Sequence, residues 1–237
     1  MRRILILVSG ALLAAACSSQ KPAAKLDDSG LARLNESQME PVDEARIEEG
    51  RARDAVSRAR ANEADARARL DVAKSERAVA EAQLKRAMAE RDLLKKQYAD
   101  KDKMAEVEQE IAGAQGRLRA TDLKLRYLEQ MIGVAEAERR VAEAHVGTAQ
   151  ALTERAKYRA MKAGNAPEAA SANAGDIDRR VAESEAQEAG LRKEAAQRRS
   201  NVVDLYNRWQ QADANARTLA RPSTLAVPPP SGEPTTH

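Results

Sequence analysis

One thiol, Cys17, and two imidazoles, His145 and His237, are the side chains in this sequence whose chemistry goes beyond surface charge. Their spacing to one another and to carboxylates matches no metal-ligand pattern. Acidic pairs such as Glu106 and Glu110 project from one face of a helix, with no apolar pocket in the pattern to raise a carboxyl pKa for acid-base work. Ser200 and Thr153 have no histidine placed to activate them, and neither a glycine-rich phosphate loop nor a nucleophile elbow occurs. These residue types predict no enzyme, no metal, no cofactor and no small-molecule substrate. Two further groups stand out. Tyr206 and Trp209, with Val202 and Leu205, form the one aromatic cluster; it reads as a plug at the end of a helical hairpin, with an anchor for a protein partner as the alternative. Arg77, Arg91 and Arg139 fall on otherwise apolar seams. The favoured reading lays their stems along the seam with the heads in solvent, and the alternative has them fixing register.

Cys17 draws its meaning from what precedes it. Met1-Arg2-Arg3 is followed by the apolar run Ile4 to Ala16, which is shorter than the ~20 residues a spanning helix needs and has the form of a cleavable export signal. The residues Leu12-Leu13-Ala14-Ala15-Ala16-Cys17 resemble the lipobox of bacterial lipoproteins, with Ala14 where that family most often has Leu. The resemblance implies that the signal is removed before Cys17, that the cysteine is acylated on sulfur and nitrogen, and that the mature chain is membrane-anchored. Ser18 follows the cysteine. By resemblance to the sorting pattern of lipoproteins, this implies an outer-membrane anchor facing the periplasm rather than inner-membrane retention.

Composition then limits the shape. The 237 residues are 43% hydrophobic but only 2% aromatic, with no Phe, and 32% are charged. Alanine supplies most of the apolar count, the signature of long helices and coiled coils rather than of a large globular core. The formal charge is +3 and falls to about +1 without Arg2 and Arg3. Basic and acidic residues interleave along the chain, so no basic face is available to track phosphates and no nucleic-acid partner is expected. With a single cysteine, no disulfide can form within the chain.

Residues 17–40 lack a sustained period and read as a flexible tether. A helix opens near Pro41, with Ser37 to Glu40 in capping-box spacing. From Ala52 the residues spaced alternately by four and three are apolar as far as Tyr98, interrupted by Glu63, Arg77 and Arg91. A second such run goes from Met104 to Ala160, interrupted by Thr121, Arg139 and Thr153. The phase slips between them. Either one helix of about 180 Å spans 41–162 with a stammer, or the chain folds back at 99–103; the lack of Gly and Pro there favours the stammer. Gly113 and Gly116 mark a second candidate hinge at 113–116. Residues 163–175 read as a loop, with Gly164, Asn165 and Pro167 as its stop signal. A return helix follows over 176–221, its seam interrupted by Ser184, Glu188 and Arg198, and then a Pro-rich tail over 222–237.

The sequence therefore predicts an all-α protein: an antiparallel coiled-coil hairpin or an elongated two- to three-helix bundle. The expected role is a lipid-anchored, non-catalytic spacer or scaffold in the bacterial envelope. Its partners are the membrane, through Cys17, and a protein partner or a second copy of the chain, through the coiled coil. The alternative is an interaction module of a transport machine, since the paired helices look like the helical hairpins of periplasmic efflux adaptors; those proteins also carry β-rich domains, and nothing here alternates with period two.

Overall fold

The computed structural model describes residue 26 and residues 28–98 and 100–219. The expected signal sequence, Cys17 and the Pro-rich tail lie outside them. A 3₁₀ turn, Asp28–Arg33, precedes four helices: α1 Glu36–Lys96, α2 Lys101–Ala163, the short α3 Pro167–Ala170, and α4 Ala174–Leu219. The protein is all-helical over these residues. Both α1 and α4 run antiparallel to α2, which is the middle member. At 1.5 Å per residue the 61 residues of α1 make a rod about 90 Å long.

The 180 Å helix is not formed. The chain reverses between α1 and α2 with its left-handed residue at Tyr98, just before the 99–103 stretch expected for a fold-back. Gln97 caps α1 by donating its backbone N–H to the Leu93 carbonyl at 3.1 Å, and Tyr98 takes the left-handed φ of 51°. A glycine is the usual residue for that role. Here tyrosine bears the steric cost, so the absence of Gly and Pro was no argument for continuity. At the far end of α2 the stop signal acts as read. Asn165, with φ 52°, is the left-handed residue, and the Ala166 and Asn165 N–H groups bond back to the Met161 and Lys162 carbonyls at 2.8 and 3.2 Å, a Schellman arrangement. No hinge occurs at 113–116. The helix continues through Gly116 because that glycine serves packing: a Cβ on it would lie 3.3 Å from the Ala216 Cα of α4.

Two seams, not one, run along α2. Toward α1 it turns Val107, Ile111, Ala114, Leu128, Ala135, Ala149 and Thr153; toward α4 it turns Gly113, Ala120, Val134 and Thr148, spaced by multiples of seven. The facing row of α1 is alanine at every seventh position from Ala52 to Ala87, of which Ala52, Ala73, Ala80 and Ala87 are buried. The facing row of α4 is Val181, Glu188, Ala195, Val202, Trp209 and Ala216, also spaced by seven. Ala216 faces Gly116, and the described part of α4 ends one turn later at Leu219, so among the described residues the last stretch of the hairpin, about 20 Å long, has two helices. Ala87, Val107 and Ile111 form the core there, with Leu84 and Leu94 against it.

The opposite end, the base, is closed by the segment read as tether. Leu31 packs with Val42, Ala160, Met161, Ala166 and Ala169. Asp28 pairs with Lys157 at 2.8 Å and lies 3.7 Å from Arg46, while the Leu26 N–H donates to Glu154 at 3.2 Å. Leu34 sits so near Gly164 that a Cβ there would approach its Cδ2 to 2.3 Å. Order therefore begins well before residue 40. The capping box also lies two residues upstream of the expected one, between Asn35 and Gln38, and Pro41 stands inside α1 rather than in its first turn.

Candidate interaction site at the middle of the rod

At mid-rod the three long helices are tied at one level. The Lys124 Nζ of α2 donates to the Glu76 carboxylate of α1 at 2.5 Å and lies 5.9 Å from the centre of the Trp209 ring of α4. Trp209 stacks on Tyr127 of α2, with centroids 5.5 Å apart and planes at 19°, and meets Tyr206 edge-on at 5.7 Å and 74°. Tyr127 and Tyr206 complete the triangle at 5.5 Å. Offset and edge-on pairs of this kind add about 0.5–1.5 kcal/mol each beyond area burial. Burial, and the neighbouring Tyr206, hold the Tyr127 hydroxyl above its usual pKa, so it stays neutral at physiological pH.

The two aromatic residues singled out in the sequence thus come together, in the body of the α2–α4 interface and not at a hairpin end. Tyr127 was missed. Its signal is the second heptad row of α2, where it occupies the position between Ala120 and Val134; following a single seam per helix conceals it. Part of this cluster faces outward: Tyr206 is 42% exposed and Val203, one turn earlier, 56%. On α1, Val72 and Val79 lie one turn either side of Glu76 and are 59% and 57% exposed. Glu76 reaches toward the Lys124–Trp209 pair, so these valines and Tyr206 stand at the same level of the rod.

Charged side chains link α1 and α2 at several levels. Arg139 Nε donates to the buried Glu63 at 2.7 Å and its Nη1 to Glu143 at 2.8 Å; Arg67 joins Glu63 and Glu136 at 2.6 and 3.2 Å. Arg77 Nε donates to Asp122 at 2.7 Å. Hydrogen bonds to these carboxylates raise the Arg77 and Arg139 pKa values further above their usual level, and Arg139 in turn holds Glu143 below the usual carboxylate range. Arg77 and Arg139 thus pair across the α1–α2 seam while their side chains stay partly exposed. Among the described residues Arg91 pairs with its neighbour Asp92, at 2.9 Å.

On the other side of α2, Glu188 of α4 is buried and accepts from His145 Nδ1 at 3.1 Å and from Arg192. Desolvation pushes its carboxyl upward, but hydrogen bonds from Thr148 and His145 and the Arg192 charge outweigh it and leave the pKa lowered. Both seam-breaking glutamates are thus buried and paired. His145 is accounted for as the partner of Glu188.

Among the described residues no group of His, Cys, Asp and Glu could hold a metal ion, and no helix is long and apolar enough to cross a membrane. The depression beside Glu63 and Arg139 is an open cleft with a charged lining. No family model matches the chain, and no curated protein or solved structure is significantly similar to it.

Proposed function

We propose that the protein is a lipid-anchored spacer or scaffold of the bacterial envelope, without catalytic activity. One observation supports this most: the folded residues form a rod of about 90 Å whose N-terminal segment is pinned to one end. Only the residues between Cys17 and Leu26 remain to link the rod to an acylated cysteine, at most about 30 Å of extended chain. An anchor at Cys17 would therefore hold the base near a lipid surface and carry the hairpin apex away from it. Cell fractionation of the Cys17→Ser protein tests this. After a high-salt wash, which strips peripheral electrostatic contacts, the variant leaves the membrane fraction if the cysteine is the anchor; retention through that wash contradicts the reading.

A second reading, that the hairpin is an interaction module of an envelope transport machine, draws support from the α1–α2 apex, which among the described residues extends past the end of α4. Capture of an envelope channel protein by the full chain, lost on removal of residues 86–113, would favour it over the spacer.

A further inference from the structure

The apex of the α1–α2 hairpin presents an aromatic side chain that the fold does not use. Tyr98 is 96% exposed and holds a left-handed φ of 51°, a conformation that costs a bulky residue about 1 kcal/mol or more and that glycine would adopt freely. The other aromatic residues are all packed: Tyr127, Tyr206 and Trp209 against one another, and Tyr158 against the basal core. Leu93, near the end of α1, is 57% exposed. Lys95, Lys96, Lys101 and Lys103 surround the turn, all exposed, and none of them is in an ion pair among the described residues. Asp100 and Asp102 share the apex, so four ammonium groups stand against two carboxylates, about +2. Below lie Glu90, Glu108 and Glu110, with Arg91 and Asp92 paired to each other.

From this placement we infer that the apex is a docking point for an anionic lipid surface. Tyrosine partitions to the headgroup level of a bilayer, its ring in the apolar margin and its hydroxyl in water. Lysine stems lie along apolar surface while their ammonium groups meet lipid phosphates. The acidic collar repels the same surface, which confines contact to the tip and keeps the shaft upright. The apex offers one exposed ring and a net positive charge at the end of a two-helix hairpin, which favours a laterally uniform, negatively charged partner. The inference deepens the spacer reading by naming what the far end touches, but its chemistry does not require Cys17.

The test therefore uses the full chain carrying Cys17→Ser, labelled with a polarity-sensitive fluorophore at Gln97→Cys or, as a mid-shaft control, at Ala61→Cys. Vesicles are phosphatidylcholine alone or phosphatidylcholine with phosphatidylglycerol. The expected result is a blue shift at position 97 with the anionic vesicles only, none at position 61, and loss of the shift at high salt. Replacing Lys95, Lys96, Lys101 and Lys103 by Gln should weaken apparent affinity about tenfold or more, and Tyr98→Gly should weaken it with helicity unchanged by circular dichroism. No shift at position 97, an equal shift with neutral vesicles or at position 61, or indifference to the lysine changes would each overturn the inference. Because the anchor is absent throughout, failure here leaves the fractionation result at Cys17 standing, and the reverse holds too.

Discussion

The two interfaces of α2 solve the same problem by different means. Toward α1 the partner row is alanine at every seventh residue, which lets the backbones come close but removes little area from water per layer, at ~25 cal/mol per Å². Alanine has no shape to distinguish one register from the next, since a slide of seven residues brings alanine onto alanine. Guanidinium–carboxylate pairs from Arg139 to Glu63 and Arg77 to Asp122 are the contacts there that a slide would break. Toward α4 the rows hold residues of unequal size, with Trp209 against Tyr127 and Ala216 against Gly116, and shape itself selects the register. A slide there would place an indole against a backbone. Small uniform side chains thus require charge to specify alignment, whereas mixed sizes specify it by exclusion.

The largest effect should come from removing the shape. Trp209→Ala deletes a ring packed between two tyrosines and is expected to cost about 3 kcal/mol, detaching α4 first. Hydrogen exchange resolved by segment checks it: amides of α4 should lose protection while those of α1 keep theirs. Equal loss in both would mean that the interfaces do not differ as described.

Arg139→Met should act more weakly and on the other side. It leaves Glu63, a buried carboxylate, with Arg67 alone, so the thermal midpoint should fall, though by less than in Trp209→Ala. Adding Glu63→Leu removes the stranded charge and should recover most of that loss, because an apolar pair can replace a buried ionic one. If the pair supplies alignment, the double variant is stable but mixed in register, which spin labels on α1 and α2 would reveal as a broadened distance distribution. A single sharp distance would assign register to the alanine row.

Glu188 gives the α4 interface one charged member and a pH signature. Its pKa is lowered in the fold, so its contribution is complete above the ordinary carboxylate pKa and is lost as pH falls from about 4.5 toward the folded value. Stability measured by urea unfolding should decline over that window, and Glu188→Gln should make the decline shallower. A parallel acid limb in the variant would move the titration to other carboxylates, Glu143 among them.

The smallest effect, of opposite sign, is expected at the turn. Tyr98→Gly relieves a left-handed φ but adds freedom to the unfolded chain, so the net change should lie between zero and a gain of about 1 kcal/mol. A clear loss of thermal stability would show that Tyr98 holds the hairpin together.

Much of this was legible in the sequence. The three- and four-residue spacing of apolar side chains marked the helical stretches, though it favoured one helix over 41–162 where α1 and α2 are separate, and the Gly164, Asn165 and Pro167 signal located the second reversal, because an amphipathic period and a left-handed cap are local properties of a few neighbouring residues. Tyr206 and Trp209 could be named as a cluster for the same reason. Their third member could not, since Tyr127 meets them only when α2 lies between two partners and must bury two faces.

The amino-acid sequence by itself determined that the chain forms long Ala-rich helices, where their apolar stripes run, and that charge is spread evenly over their surfaces. The tertiary structure alone decided that the rod folds back at Tyr98, that the segment before residue 36 closes the base, that α2 is the central helix, and that Glu63, Glu188, Arg77 and Arg139 act across interfaces. The division has a physical cause. A helix is specified by interactions within four residues, while a reversal without glycine and a buried ion pair are sustained only by contacts between segments far apart in the chain.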